Sequence, residues 1–349
     1  MAGKTKIEWS EYSWNPIRGC SRVTDGCRHC YAEDQAARII AQDRDRGVPE
    51  GQGAYDGLLA KGGQWNGQIK FVPELLDQPV RWTKPRRIFV NSMSDLFHEN
   101  VAEDVIQRIF AIMAVASQHT FQVLTKRAER MRDVLSGKDL RWILEGVSSL
   151  TQEGVIDRGS YELTWPLPNV WLGVSIEDQA AANERIAHLL ETPASVRWLS
   201  MEPLLGPVDL ETIQLPSGEV FNAFYGWHTA GAYDRVSGVD WVVVGGESGP
   251  QARPMHPQWA RNLRDQCEAS SVPFLFKQWG EWTPGENVEW AEGLAKTARR
   301  FGNDWLFSTE SLSGADGHVD DEPDLYWVGK QSAGRRLDGN LYDGYPIML

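Results

Sequence analysis

Seven short apolar runs, rich in β-branched and aromatic residues, recur along this chain: Tyr12–Ile17, Arg87–Asn91, Phe121–Thr125, Val170–Ser175, Val196–Ser200, Trp241–Gly245 and Pro273–Lys277. Between several of them the apolar period changes. Ala32, Ala36, Ile39 and Ile40 share one helical face; Val105, Ile109, Ile112, Met113 and Ala116 make a second stripe; Ala182, Ile186, Leu189 and Leu190 make a third. A run that is apolar at nearly every position suits a strand buried on both faces. Such strands belong to parallel sheets covered by helices. The pattern predicts an α/β fold, a partial or complete TIM-like (β/α) barrel of about six to seven parallel strands with long loop insertions.

All seven runs lie within 1–280, the expected barrel. Three stretches break the alternation, 43–84, 136–169 and 205–240, and are rich in Gly, Trp and polar residues. They read as ordered insertions walling one end of the barrel. The remainder, 281–349, reads as a C-terminal elaboration packing on it.

In barrels of this kind the chemistry gathers at the C-terminal ends of the strands. Each run here stops at residues that can do chemistry. The second ends in Asn91-Ser92-Met93-Ser94-Asp95, with His98 and Glu99 close behind, and the third in Thr125-Lys126-Arg127. The fourth ends in Ser175-Ile176-Glu177-Asp178, the fifth in Met201-Glu202-Pro203, the sixth in Gly245-Gly246-Glu247 and the seventh in Lys277-Gln278-Trp279-Gly280. Some of these have plainer readings. Ser92 or Ser94 suits a helix cap, and Asp178 suits a helix N-terminus.

The first run leads into Cys20-Ser-Arg-Val-Thr-Asp-Gly-Cys27-Arg-His-Cys30, a C-x6-C-x2-C cluster. The fourth cysteine, Cys267, is far away, at helical spacing from Trp259 and Leu263, and reads as a packed face residue. Three thiolates on one loop converge well on a metal. A closed zinc site takes four ligands, and an ordinary iron–sulfur cluster takes four cysteines. Three leave one iron of a four-iron cluster open to a substrate or cofactor. A zinc site completed by His29 or His98, or merely reduced thiols, are the alternatives.

Net charge argues about partners. There are 35 Lys and Arg against 48 Asp and Glu, a formal −13. That disfavours a simple electrostatic coat on nucleic acid, whose affinity comes mostly from basic residues, but leaves room for a local basic groove. Sixteen tryptophans are many for this length. Trp171, Trp198 and Trp241 lie in strand runs and are expected in the core. Trp65, Trp227, Trp279 and Trp282 lie in loops, where aromatics beside cations can stack nucleobases or form an apolar lid. The candidate cations are Lys84, Arg86 and Arg87, then Lys126, Arg127, Arg130 and Arg132, then Arg335 and Arg336. No stretch approaches a membrane span and Met1–Ser10 has no signal-peptide core, so the expected location is the cytoplasm, with no membrane partner.

The stretches Trp14-Asn15-Pro16, Gly19-Cys20, Gly26-Cys27, Cys30-Tyr31-Ala32, Asn91-Ser92-Met93-Ser94-Asp95, Leu124-Thr125-Lys126-Arg127, Gly173-Val174-Ser175-Ile176-Glu177, Ser200-Met201-Glu202-Pro203, Gly245-Gly246-Glu247-Ser248-Gly249 and Phe276-Lys277-Gln278-Trp279-Gly280 resemble the uncharacterised phage Gp37/Gp68 family. One level out, the arrangement is similar to radical S-adenosylmethionine (SAM) enzymes, closest in style to spore photoproduct lyase. That superfamily's usual spacing is C-x3-C-x2-C, where this chain has six residues in the first gap and His29 before the last cysteine.

The resemblance implies that Cys20, Cys27 and Cys30 hold a 4Fe-4S cluster whose open iron binds SAM. It implies SAM contacts from Lys126 and Ser175, and from Ser92 or Ser94 to the methionyl amino group. Tyr31 and Glu177 complete the expected cofactor set, and Glu202 and Glu247 would orient ribose or substrate. The implied activity is reductive generation of a 5′-deoxyadenosyl radical, fed by a flavodoxin- or ferredoxin-like donor. Its implied target is a nucleic acid or nucleotide, in lyase-like DNA repair or modification, with a partner protein as a further expectation. The alternative is a non-enzymatic zinc or iron–sulfur module of a phage or defence system that binds nucleic acid or protein.

Overall fold

In the computed structural model, which describes residues 3–5, 7–226, 238–288, 292–312 and 325–347, each apolar run forms a strand. They are β1 (Tyr12–Trp14), β2 (Arg87–Val90), β3 (Thr120–Thr125), β4 (Val170–Ser175), β5 (Val196–Met201), β6 (Trp241–Gly245) and β7 (Phe274–Gln278). They follow one another across a single sheet in chain order, with a short antiparallel strand, Gly3–Lys4, beside β1. Neighbouring strands run parallel: Tyr12 lies opposite Ile88, Ile88 opposite Phe121, Phe121 opposite Val170, Trp198 opposite Trp241 and Val242 opposite Phe274. Helices flank the sheet, so the fold is α/β of the partial TIM-barrel type. Every residue of β4 and β6 is buried, the reason those runs show no alternation in sequence.

The first run is shorter than expected. Its strand stops at Trp14, because Pro16 has no N–H to give a ladder. Ile17–Arg18 pairs instead with Lys70–Phe71, antiparallel, in a separate two-stranded sheet.

The chain divides into two compact units, 1–174 with 185–197, and 175–184 with 198–349. The first holds α1 (Tyr31–Asp45), α2 (Glu103–Val115), α3 (Ala128–Leu135) and α4 (Leu140–Gln152). The stripes expected at Ala32–Ile40 and Val105–Ala116 are α1 and α2, and that at Ala182–Leu190 lies on α5 (Gln179–Glu191). The 136–169 insertion is ordered as expected, and it contains a helix its composition did not announce, α4. That helix starts at Asp139, whose carboxylate accepts from the Arg141 amide, and turns Ile143, Gly146, Val147 and Leu150 inward.

In the second unit, β7 is followed by an antiparallel sheet of β8 (Trp282–Pro284), β9 (Leu294–Phe301), β10 (Asp304–Ser311) and β11 (Leu325–Trp327), in the order β8-β11-β9-β10. Helix α6 (Pro257–Ala269) buries Trp259, Leu263 and Cys267 on one face, as the spacing predicted. Among the described residues no helix is long and apolar enough to cross a membrane.

Candidate functional site

The three cysteines sit on the loop between Ile17–Arg18 and α1, half-buried and free of disulfides. The 43–84 insertion shapes that loop. Tyr55, Leu58 and Trp65 form one apolar cluster with Ala32, Ala36 and Ile39 of α1, and Cys20 and Cys30 pack against it. The Gly67 amide donates to the Cys20 carbonyl at 3.0 Å, and Arg18 donates to the Ala54 carbonyl at 3.1 Å. Gly19 has φ +90°, and a Cβ there would lie 2.1 Å from the Gln68 carbonyl oxygen. Only glycine fits so close to that strap, one residue before Cys20.

Charge fixes the other side. Glu33, buried in the first turn of α1, takes both Arg22 nitrogens at 3.1 and 2.6 Å and the Trp65 amide at 2.9 Å. Arg127, just past β3, donates to Asp95 at 3.1 Å, Glu99 at 2.8 Å and the Ser21 hydroxyl at 2.7 Å, and stands 4.0 Å from the Cys20 sulfur. Asp95 in turn accepts from Thr125 Oγ1, Phe97 N and Lys126 N. The cysteine loop is therefore tied to the ends of β2 and β3.

Burial, then the Asp95 carboxylate, push the Cys20 thiol up to about 12; Arg127 opposes them, and Cys30 and Cys27 add to the rise. Burial also raises Cys30, which sits at the N-cap of α1, against the pull of the Ala32 and Glu33 amides. All three sulfurs thus lie within electrostatic range of one another. Cys20 and Cys30 are therefore poor thiolates unless a cation compensates them.

Among the described residues no three His, Cys, Asp or Glu side chains are grouped closely enough to hold one metal ion. A four-iron cube takes each thiolate on a different iron, so it asks for sulfurs spread around a cage rather than drawn onto one point. The donor set, three half-buried thiols on one loop, fits such a cluster in kind. His98 is a poor zinc ligand. It is fully buried, its Nδ1 accepts from the Asn100 amide at 3.1 Å and its Nε2 lies 2.9 Å from Ser21 Oγ. Burial, and then Arg127, keep its proton affinity low.

Of the other expected residues, the first unit holds Tyr31, Ser92, Ser94 and Lys126. Tyr31, exposed, donates its hydroxyl to the Ser92 carbonyl at 2.6 Å. Ser92 donates to Asn15 Oδ1 and Ser94 to the Ile17 carbonyl. Both serines thereby brace the chain leading into the cysteines, rather than capping a helix. The second unit holds Ser175 and Glu177, both buried, with Glu202 and Glu247. Glu202 accepts from Lys277 Nζ on both oxygens, at 2.9 and 2.6 Å, and from the Gln278 amide. Glu247 is gripped by Arg253 through two side-chain nitrogens and its backbone amide.

A family model matches residues 4–346. The chain belongs to DUF5131, a family of proteins of unknown function. No curated protein and no solved structure matches it. In this DUF5131 chain, sequence reasoning picked the three cysteines and, at strand ends or in motifs, Arg127, Asp95 and Asn15, but not that these set the cysteine loop, and it missed Glu33. Arg127 and Asp95 stood at strand ends and were readable there as chemistry-bearing. Glu33 lay inside a helical stretch with nothing to mark it.

One expectation is corrected. Trp65, Trp279 and Trp282 are not loop platforms for bases; they are 8%, 1% and 1% exposed. Trp279 and Trp282 also spend their indole N–H on the carbonyls of Arg336 and Ala252. Trp227 lies outside the described residues. Of the cations expected beside them, Arg86 is laid over the rings of Tyr12 and Trp82, at 4.0 and 4.7 Å from their centroids.

Proposed function

We propose that this protein is a radical SAM-type enzyme in which Cys20, Cys27 and Cys30 hold a 4Fe-4S cluster, acting on a nucleic acid or nucleotide. The observation that carries the reading is the cysteine loop itself. Three half-buried cysteines, none in a disulfide, lie on one loop just past the first parallel strand, and burial raises Cys20 and Cys30. With SAM bound and one electron delivered by a flavodoxin- or ferredoxin-like donor, the cluster would supply the reductive cleavage of SAM to methionine and a 5′-deoxyadenosyl radical, which would take hydrogen from the substrate.

The chain's own residues have definite tasks in that scheme. Arg127, positioned by Asp95 and Glu99, sets positive charge at the Cys20 sulfur and would offset the negative charge of a thiolate-bound cluster. Glu33 and Arg22 hold the loop against α1. The Tyr55–Leu58–Trp65 cluster keeps water from the Cys20 and Cys30 side. Tyr31 and Lys126 are the proposed cofactor contacts of the first unit, and Ser175, Glu177, Glu202 and Glu247 are the candidates of the second unit.

Anaerobic purification tests this. The protein should be brown, carry about four irons per chain and release 5′-deoxyadenosine from SAM on reduction. Cys27→Ala should lose the iron while keeping the parent's circular dichroism. Colourless protein holding one zinc would overturn the reading in favour of a binding module.

A further inference from the structure

The second unit contains a cavity of about 300 Å³ between the 250–254 segment and the antiparallel sheet. Its walls include Phe307 of β10 and Trp327 of β11, with Gln251, Arg253 and Lys296 of β9 as the polar groups. Among the described residues no carboxylate lines it, in a chain that carries 48 of them. Arg253 is already paired with Glu247, so the net positive charge at the cavity is that of Lys296. The Lys296 ammonium lies over aromatic faces, 4.6 Å from the Phe307 centroid, 5.4 Å from Trp282 and 5.8 Å from Trp327. Phe307 is 53% exposed, more than packing alone would ask of a phenylalanine.

We propose that this cavity binds one nucleotide unit. The base would stack on Phe307 and Trp327, the phosphate would meet Lys296, and Gln251 would hydrogen-bond a base edge. Three features select that class of ligand. Two rings at the wall match a flat π-system. One cation not offset by a carboxylate matches a phosphate. A cavity of this size sits at the small end of ligand pockets, suited to one base rather than a folded partner. Lys296 lies nearest the exposed Phe307 ring, where such a contact holds a lysine only weakly, so it can swing to a phosphate while that ring receives the base. The proposal deepens the nucleic-acid side of the reading above and rests on that side alone; the radical chemistry does not enter it.

Binding is measured on the full chain by calorimetry, without SAM or reductant, using adenosine monophosphate and a short single-stranded oligo(dT). At least one should bind saturably, and Phe307→Ala should weaken that binding about tenfold, the effect of losing one stacked base. Lys296→Met should weaken it and flatten its salt dependence, while Lys296→Arg should retain it. Binding of the oligonucleotide alone makes the ligand a strand; equal binding of the mononucleotide makes it a free nucleotide. Absence of saturable binding by either probe overturns the proposal. So does parent-like binding by Lys296→Met, an exposed change that leaves the core intact, or displacement of the probe by inorganic phosphate at the same concentration as by the nucleotide. A protein that binds nucleotide but holds no iron would sink the radical reading and leave this one standing.

Discussion

Arg127 decides how firmly the cysteine loop is seated. Its side chain is 10% exposed and its partner Asp95 is 8% exposed, so this is a buried pair. Burial works against the guanidinium's charge, and Asp95, Cys20 and Glu99 more than restore it. Breaking such a pair from one side leaves a carboxylate unpaired. Arg127→Met should therefore cost about 3 kcal/mol, read from urea unfolding, and adding Asp95→Asn should recover part of it. A loss within about 0.5 kcal/mol would mean the pair acts as a surface one. A second residue gives the fold a pH dependence. His256 is the N-cap of α6, its Nδ1 accepting from the Gln258 amide. Burial first, then Arg300 and Arg261, lower it from 6.5 to about 4. A folded value below the unfolded one means the fold prefers the neutral ring. That stability is complete above the unfolded value and is lost as pH falls from about 6.5 towards 4. After allowance for partial exposure the loss is roughly 1–2 kcal/mol. His256→Asn keeps a capping side chain and should flatten the unfolding midpoint over that window; an unchanged slope would assign the acid sensitivity to other groups.

At the level of elements, two glycine turns act as one device. A Cβ on Gly246 would lie 1.9 Å from the Trp279 carbonyl oxygen, and one on Gly280, at φ +85°, would lie 2.0 Å from the Glu247 carbonyl oxygen. The loops after β6 and β7 thus interlock backbone to backbone, fixing Glu247 beside Arg253 and leading Lys277 to Glu202. Gly246→Ala or Gly280→Ala should destabilise by about 3 kcal/mol or more, and should disturb the near-ultraviolet dichroism of Trp279 and Trp282. In sequence these read as two separate motifs, because nothing in a one-dimensional string says that two turns touch. The same limit explains what else was legible. The strands were, because burial on both faces writes itself as an unbroken apolar run. The helix α4 was not, because Gly146 stands on its buried face where a larger residue would have completed the stripe; a Cβ there would lie 3.0 Å from that of Ala111 on α2. The cysteine loop was legible by residue type. Its clamp was not, since Glu33 and Arg22 look like ordinary surface charges until the fold brings them together. The tryptophans outside the long strands read as base platforms or an apolar lid, and the platform reading fails because Trp65 and Trp282 belong to packed clusters of their own.

Over the whole molecule, the segment after β11 decides whether the sheet has an open edge. Strand β7 ends the order of the large sheet. Beyond Gly334 the chain runs back along it. The Phe276 amide donates to the Tyr342 carbonyl and the Gly344 amide to the Phe274 carbonyl, both at 3.0 Å, with Leu275 bridged antiparallel to Asp343. The indoles of Trp241 and Trp279 spend their N–H groups on Gly344 and Arg336 carbonyls, each at 2.7 Å. Tyr345 lies 5.2 Å from the Trp241 ring and Tyr342 lies 5.6 Å from Phe274. The end of the chain is therefore part of the fold of the second unit, covering an apolar edge that would otherwise recruit another strand. A chain shortened to residues 1–331 loses at least two ladder bonds, at about 1 kcal/mol each, and leaves two buried indole N–H groups unpaired, at about 1–3 kcal/mol each. The sum, about 4–8 kcal/mol before lost aromatic burial is counted, is comparable with the whole stability of a typical domain. The shortened chain should associate in a concentration-dependent way by light scattering and unfold at a far lower denaturant concentration. Edge charges introduced at Leu275, which faces that tail, should fail to rescue it, because they would also enter the core. If the shortened chain stayed monomeric at the parent's midpoint, the tail would be a passive appendage and β7 would need another cover.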